Sequence, residues 1–244
     1  MKQGDFRPYR SQFDIDVQVI NEELIEKRKM EIEKKLKTGT TTVGLVCKDG
    51  VVLAADKRAT MGLFVANKNA EKLHLIQSHV WMTIAGSVAD AQYLIEILRA
   101  ESNVFKLTSE KPMTAKAIAT YLSRILNYYK GYFQVGLIIG GYGSEGPALF
   151  QLGAYGSIIP EKITAIGSGS PYAIGLLEAQ WHENLTVDEG IKIAAAAVRS
   201  SIIRDVFTGN GIDVVAIRKD SYEQKFFGIE TDPLTILNSP ENKT

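Results

Sequence analysis

Residues 40–59 read TTTVGLVCKDGVVLAADKRA and carry the strongest fold signal in the sequence. It contains two runs rich in β-branched and apolar residues, TTTVGLV at 40–46 and VVLAADKRA at 51–59, which are typical of strands. Asp49-Gly50 lies between the two runs and is a strong signal for a tight antiparallel turn. The stretch therefore predicts a β-hairpin at the start of a packed domain.

The segments that follow this hairpin alternate between blocks of strands and pairs of helices. Two further strand-like runs, KLHLI and VWMTIAG, precede a capping pattern formed by Ser87 and Asp90, which predicts the start of a helix. A second helical pattern covers about 112–130, and the runs FQVGLIIGG and PALFQLG after it predict two more strands.

The C-terminal part repeats this alternation. A helix is predicted over 171–183, and Thr186 with Glu189 forms a capping box ahead of the Ala-rich helical pattern IKIAAAAVRSSIIRD. IDVVAIRK and KFFGI predict the last strands. Because paired helices separate blocks of hairpin strands, we expect an α+β fold in which helices cover two antiparallel sheets packed face to face, rather than a doubly wound parallel sheet.

Residues 1–39 have a different composition from the rest of the chain. They are polar and highly charged, and they predict one helix over about 21–36 whose apolar residues are too sparse for a core position. The segment has no apolar core of a signal peptide and carries many acidic residues, so neither a secretory signal nor a transit peptide is predicted. It is interpreted as an appendage to a domain that begins at residue 40.

Composition excludes several classes of function. Lys and Arg number 28, as do Asp and Glu, and this balance argues against a nucleic-acid interface, which needs a basic excess. A net charge near zero also does little to keep copies apart, which suits a surface covered by protein partners. Cys47 is the only cysteine, which favours a reducing, cytoplasmic setting, and no apolar run reaches the roughly 18 residues of a membrane span.

The usual motifs for metal, thiol or nucleotide chemistry are weak. The three histidines do not form a zinc-binding array, His74 is better placed for a pocket or the core, and Cys47 lacks a histidine companion that would activate it. Gly141–Gly146 matches GxGxxG, but a strand-like run follows it where a dinucleotide site needs a helix. A hairpin loop is the better interpretation of that match.

The threonine block at the start of the domain has two interpretations. β-propensity alone explains why three threonines open a strand. Gly39 in front of Thr40 adds an unhindered carbonyl and a permissive backbone, which suit a peptide bond that is to be cleaved.

The sequence resembles the proteasome β-type subunits over essentially all of residues 39–230. Several blocks in matching order and spacing carry the resemblance: GTTTVG at 39–44, DGVVLAADKRAT at 49–60, NAEKLHLI at 69–76, TIAGSVAD at 83–90, AIGSGSP at 165–171, TVDEG at 186–190 and RDVFTGNGID at 204–213. It implies the four-layer αββα sandwich of the N-terminal nucleophile hydrolases, in agreement with the predicted order of strands and helices.

The resemblance also implies roles for individual residues. Thr40 matches the N-terminal nucleophile, and Gly86 matches the glycine whose N–H lines the oxyanion hole. The charged pair and the hydroxyl network beside the nucleophile match Asp56, Lys72, Ser168, Asp205 and Thr208. The family usually has serine at the last of these positions, so Thr208 is a departure that keeps the hydroxyl and adds a methyl group. The substrate pocket matches Ala59, Ala70, His74, Ile84 and Val88, which suggests a preference for large apolar residues that His74 would broaden.

Elementary chemistry is consistent with these roles. A free α-amine has a pKa of about 7.7–8.0, so the amine of an exposed Thr40 can take the proton of its own hydroxyl, directly or through a water held by Ser168 and Thr208. Lys72, held by Asp56, would favour the developing alkoxide. The amine is blocked until the Gly39–Thr40 bond is cut, so we expect residues 1–39 to be a propeptide removed by self-cleavage and residues 40–244 to be the catalytic domain.

The resemblance also implies partners for the chain, and two alternative functions remain open. Heptameric β rings between rings of α-type subunits, an ATPase that feeds the chamber and unfolded polypeptide substrates are implied, with no metal or organic cofactor. One rival is a structural β subunit that assembles without processing. The other is a different N-terminal nucleophile hydrolase, either the simpler bacterial two-ring protease or an amidase, although the block Arg204–Asp213 favours the proteasome proper.

Overall fold

The computed structural model describes residues 39–229, which contain twelve strands and four helices. The first half comprises β1 (Thr41–Cys47), β2 (Gly50–Asp56), β3 (Ala59–Met61), β4 (Phe64–Asn67), β5 (Leu73–Gln77), β6 (Val80–Gly86), α1 (Val88–Ser109) and α2 (Ala115–Tyr128). The second half comprises β7 (Val135–Gly143), β8 (Gly146–Leu152), β9 (Ile158–Pro160), β10 (Ile163–Gly167), α3 (Ser170–Gln180), α4 (Val187–Arg204), β11 (Ile212–Ile217) and β12 (Tyr222–Phe227).

The strands form two five-stranded antiparallel sheets and one small hairpin. The first sheet has the order β10-β1-β2-β11-β12, the second has the order β5-β6-β7-β8-β9, and β3 pairs only with β4. The predicted hairpin of β1 and β2 is confirmed, with Cys47 opposite Gly50 at the turn. The GxGxxG match is the turn between β7 and β8, where Gly143 pairs with Gly146, so the hairpin interpretation is also confirmed.

Three apolar clusters join these elements into four layers. One cluster packs the first sheet against α3 and α4, and a second packs the second sheet against α1 and α2. The third lies between the sheets and includes Leu53, Trp81, Ile138 and Val215. Because side chains alternate across a strand, Val43 and Leu45 of β1 face the helices while Val46 faces the other sheet. The predicted αββα sandwich is therefore confirmed.

Several predicted boundaries were wrong. The second helix begins at Ala115 rather than near 112, because the Thr114 hydroxyl accepts the Ala117 N–H and caps it there. The third helix spans Ser170–Gln180 rather than 171–183. The strands β3, β4, β9 and β10 were not predicted. The helix predicted over 21–36 lies outside the described residues.

The N-terminus of α4 gives a local test of stability. The Thr186 hydroxyl accepts the Glu189 N–H, and the Glu189 carboxylate accepts the Thr186 N–H at 2.9 Å, as the predicted capping box requires. Thr186→Ala should lower the free energy of unfolding by about 1 kcal/mol, because one backbone donor loses its acceptor. Guanidinium unfolding curves measure this change.

Thr120→Ala is the matched control for this helix-cap prediction. Among residues 39–229, the Thr120 hydroxyl bonds only to the Lys116 carbonyl within α2, so this change should shift the free energy of unfolding by less than about 0.5 kcal/mol. Equal destabilisation by the two changes would contradict the importance of the cap.

Candidate active site

Thr40 lies at the point where the chain enters β1, and it is 5% exposed. Its amide N–H donates to Ser168 Oγ at 3.2 Å, and its hydroxyl donates to the carbonyl oxygen of Gly39 at 2.7 Å. The next residue, Thr41, pairs with Gly167 at the end of β10. Gly167 has φ +108°, and a Cβ there would lie 2.0 Å from the Thr40 carbonyl oxygen, so only glycine allows this close approach.

Asp56 and Lys72 form a buried ion pair beside this point. Lys72 Nζ lies 2.7 Å from Asp56 Oδ1, and the two side chains are 8% and 0% exposed. Burial lowers the pKa of Lys72 below its ordinary value, and the neighbouring Asp56 carboxylate opposes part of that effect. The pair lies where the end of β2 meets the residue that precedes β5.

The Asp56 carboxylate also fixes the backbone around the pair. Its Oδ1 accepts the Thr41 N–H at 2.8 Å, which ties it to the residue after Thr40. Its Oδ2 accepts the N–H groups of Arg58 and Gly209 at 3.0 and 3.1 Å. Because these donors come from three different segments, Asp56 holds β1, β2 and the loop after α4 together.

Ser168, Asp205 and Thr208 form a second polar group, which contacts the Thr40 nitrogen through Ser168. Asp205 Oδ2 accepts the hydroxyls of Ser168 at 2.6 Å and Thr208 at 2.5 Å, and its Oδ1 accepts the Phe207 N–H at 3.2 Å. Asp205 is the C-cap of α4, so the helix end places the carboxylate. The threonine at 208 keeps the hydrogen bond to Asp205 that a serine could make, and its side chain is buried.

Thr41 joins the two groups and was not predicted as a site residue. Its N–H donates to Asp56, and its hydroxyl lies 2.8 Å from that of Thr208. Since the Thr208 hydroxyl donates to Asp205, it accepts the hydrogen bond from Thr41. The signal in the sequence was position alone, because Thr41 lies in the threonine block next to the assigned nucleophile.

Arg58 was also missed, although it lies in a block that carries the family resemblance. Its Nε donates to Asn210 Oδ1 at 2.9 Å and its guanidinium donates to the Val206 carbonyl at 2.6 Å. Both contacts hold the loop after α4, from which the Gly209 N–H reaches Asp56. Arg58 therefore supports the site without entering it.

Gly86 ends β6, two residues beyond Ile84, whose N–H donates to the Lys72 carbonyl at 3.1 Å. Gly86 has φ +115°, and a Cβ there would lie 2.2 Å from the Gln134 carbonyl oxygen. A residue with a side chain would be strained at this position whatever its role.

Three of the five predicted pocket residues lie next to Lys72: Ala70 and His74 are two residues from it in the chain, and the Ile84 N–H donates to its carbonyl. The Ala70 N–H donates to the Lys57 carbonyl, and Ala59 lies two residues beyond Lys57. His74 is half-buried on β5 opposite Met82, and burial lowers the pKa of its ring. Ile84 is buried, whereas Val88 is exposed at the first residue of α1.

A cavity and the thiol of Cys47 lie away from the candidate site residues. A cavity of about 400 Å³ lies at the far end of β1, lined by Val46, Pro147–Phe150 and Pro160–Ile163, and none of the candidate residues line it. Cys47 is buried, and burial raises the pKa of its thiol to about 12, which does not favour a nucleophile.

Metal-binding clusters and membrane-spanning helices are both absent from residues 39–229. No group of three or more His, Cys, Asp or Glu side chains in this part of the chain could hold a metal ion. Over the same residues, no helix combines the length and the apolar character needed to cross a membrane.

Comparison with known proteins shows that the chain is similar to proteasome subunits. A family model described as proteasome subunit matches residues 36–217. The proteasome subunit beta of Methanohalophilus mahii is 49% identical over 198 residues, which cover 80% of this chain and 93% of that protein. The proteasome subunit beta of Methanococcoides burtonii is 47% identical over 214 residues, which cover 87% and 99%. That of Archaeoglobus fulgidus is 47% identical over 195 residues, which cover 79% and 92%.

Proposed function

The chain belongs to the proteasome subunit family, as a β subunit of the archaeal type, and from this premise we propose that it is a catalytic subunit: a threonine endopeptidase that exposes its own nucleophile. Proteasome β subunits are generally threonine peptidases. The observation that carries the proposal is the hydrogen bond of 2.7 Å between the Thr40 hydroxyl and the Gly39 carbonyl, beside the groups that would activate that hydroxyl.

Self-cleavage at this bond needs no nucleophile from another protein. Thr40 Oγ adds to the Gly39 carbonyl carbon and closes a five-membered ring, while a water passes the hydroxyl proton to the amide nitrogen. The C–N bond then breaks and leaves Gly39 as an ester on Thr40 Oγ. Water hydrolyses this ester, which releases residues 1–39 with a terminal carboxylate and frees both the hydroxyl and the amine of Thr40.

Peptide hydrolysis then uses the freed amine as base. The amine, with a pKa of about 7.7–8.0 when unperturbed, takes the hydroxyl proton as Oγ adds to the substrate carbonyl. The Gly86 N–H would donate to the oxyanion, a contact of a kind that contributes about 2.7–4 kcal/mol. The protonated amine gives its proton to the leaving nitrogen, and water hydrolyses the acyl-threonine ester.

The two polar groups would support this chemistry in different ways. Lys72 places positive charge near the developing alkoxide, and Asp56 holds it in position at 2.7 Å. Ser168 contacts the Thr40 nitrogen and is itself fixed by Asp205, so this group would orient the amine or the water that it uses. Thr208 completes that group through its own bond to Asp205.

Membership of the family implies that the chain assembles with other subunits. The arrangement of those subunits is part of the proposal. The chain forms part of a multi-subunit particle, and we propose heptameric β rings between α-type rings, fed with unfolded polypeptides by an ATPase. Ala59, Ala70, His74, Ile84 and Val88 would line the pocket for the residue before the cut. The single cysteine, Cys47, suits a reducing, cytoplasmic setting.

One rival function remains. Family membership sets aside the amidase and the bacterial two-ring protease as alternatives, but a β subunit can assemble without processing. Such a scaffold does not need the Thr40, Lys72 and Asp205 constellation, and nothing in the scaffold role explains why these residues are grouped.

Intact mass and N-terminal sequencing test the proposal. We expect the full chain, assembled with its α-type partner, to lose residues 1–39 and to show a new terminus at Thr40. A chain that keeps Met1 in complete particles would have a blocked amine, and the scaffold function would then replace the catalytic one.

A further inference from the structure

Thr60 lies on the short strand β3, outside both polar groups of the site. The residue is 6% exposed. Ala59 pairs with Asn67 and Thr60 pairs with Val65, so Ala66 is an extra residue at a register shift between Ala59 and Thr60. Bulges re-aim nearby side chains and are common next to active sites.

The Thr60 hydroxyl contacts the segment that is to be removed. It accepts the N–H of Gly39 at 3.0 Å, across 21 residues of sequence, and the contact is buried. The Gly39 carbonyl accepts the Thr40 hydroxyl at 2.7 Å. The peptide groups on both sides of the Gly39 α-carbon are therefore held by hydroxyls, one from Thr60 and one from the nucleophile.

Phe207 packs directly against the α-carbon of Gly39. A Cβ on Gly39 would lie 1.6 Å from Phe207 Cβ and 2.8 Å from Phe207 Cα. Backbone atoms are among those approached, so a side-chain rotation of Phe207 cannot relieve the overlap. The residue in this position must be glycine.

The same overlap means that a substrate residue cannot be placed as Gly39 is placed in the precursor. A substrate residue with a side chain cannot take the position of Gly39, because its Cβ would collide with Phe207. It must therefore approach Thr40 in a different placement from that of Gly39. Once residues 1–39 are gone, the Gly39 N–H that Thr60 holds is gone as well.

We propose that Thr60 is a positioning residue for self-cleavage: its hydroxyl holds the Gly39 N–H so that the Gly39 carbonyl faces Thr40 Oγ, and this hydroxyl is not needed for later peptide turnover. The inference rests on the proposed function, since it assumes that Thr40 cleaves its own chain. It adds a side-chain hydroxyl that serves self-cleavage and not the later hydrolysis of peptides.

Thr60→Val removes the hydroxyl and keeps the side-chain shape, and Thr60→Ser keeps the hydroxyl. The full chain carrying each change is assembled with its α-type partner, and intact mass follows the conversion of the Met1 form into the Thr40 form. Self-cleavage should be about tenfold slower with valine and within about twofold of the unsubstituted rate with serine, because one buried hydrogen bond is lost or kept.

Turnover of a fluorogenic peptide is then measured after processing is complete and is expressed per Thr40 terminus. The valine variant should match the unsubstituted particle, which also shows that it has folded and assembled. Valine processed at the unsubstituted rate would overturn the inference alone, as would an equal loss of turnover per terminus. An unsubstituted chain that never exposes Thr40 would overturn the proposed function and this inference together.

Discussion

Thr40→Ala should abolish both self-cleavage and peptidase activity while the fold is retained. The change removes the hydroxyl oxygen that is proposed to attack the Gly39 carbonyl, so Lys72 and Asp205 would have no nucleophile left to support. We expect turnover to fall by at least about 10⁴-fold, the scale seen when a nucleophile is removed from a group of residues that act as a unit. Intact mass should show Met1 retained in assembled particles.

Stability should change little in this variant. The hydrogen bond to Gly39 and the packing of one buried methyl group are lost, so the free energy of unfolding should fall by about 1–2 kcal/mol. Thr40→Ser is the matched control, since it keeps a hydroxyl in the same place and should still be cut after Gly39, which leaves serine as the new N-terminal residue. Peptidase activity that survives in the alanine variant would contradict the nucleophile assignment.

The hairpin and the helix caps could be predicted because their signals are local. Asp49-Gly50 specifies the turn between β1 and β2, and both partners of the α4 capping box lie within four residues of each other. The alternation of strand and helix blocks was then enough to predict two antiparallel sheets covered by helices, and runs such as VVLAA in β2 put apolar residues on both faces of the strand.

The strand β10 could not be predicted in this way, although it matters for the site. Its five residues, ITAIG, are followed by the glycine-rich segment before α3, and they are held as a strand by pairing with β1 more than 100 residues away. That pairing brings Ser168 next to Thr40. Non-local pairing of this kind leaves no pattern within the segment itself.

The identities of the candidate site residues came from family resemblance, whereas their contacts came from the structure. Asp56 and Lys72 were expected to pair, and they do so at 2.7 Å. The contacts of Thr41 and Thr60 could not be read from the sequence, because each depends on the approach of segments far apart in the chain. A hydroxyl on a strand is uninformative until its partner is known.

Lys72→Met should impair the molecule in two ways that can be measured separately. The Asp56 carboxylate would remain buried without its cation, which typically costs about 3–5 kcal/mol of folding free energy. The positive charge proposed to favour the Thr40 alkoxide would also be lost, so self-cleavage should slow by at least about 10²-fold. Guanidinium unfolding measures the first effect, and intact mass of assembled particles measures the second.

Lys57→Met is the control, because it removes a neighbouring lysine that also pairs with an aspartate. Lys57 Nζ lies 2.6 Å from Asp213, but this pair is more exposed, at 15% and 27%, and its carboxylate contacts none of the site residues described above. Its loss should lower the free energy of unfolding by no more than about 1 kcal/mol. Self-cleavage should continue at nearly the unsubstituted rate, because Asp56 still holds Lys72. If Lys72→Met slows self-cleavage only in proportion to the fraction of unfolded chain, then Lys72 acts through stability and has no part in activating Thr40.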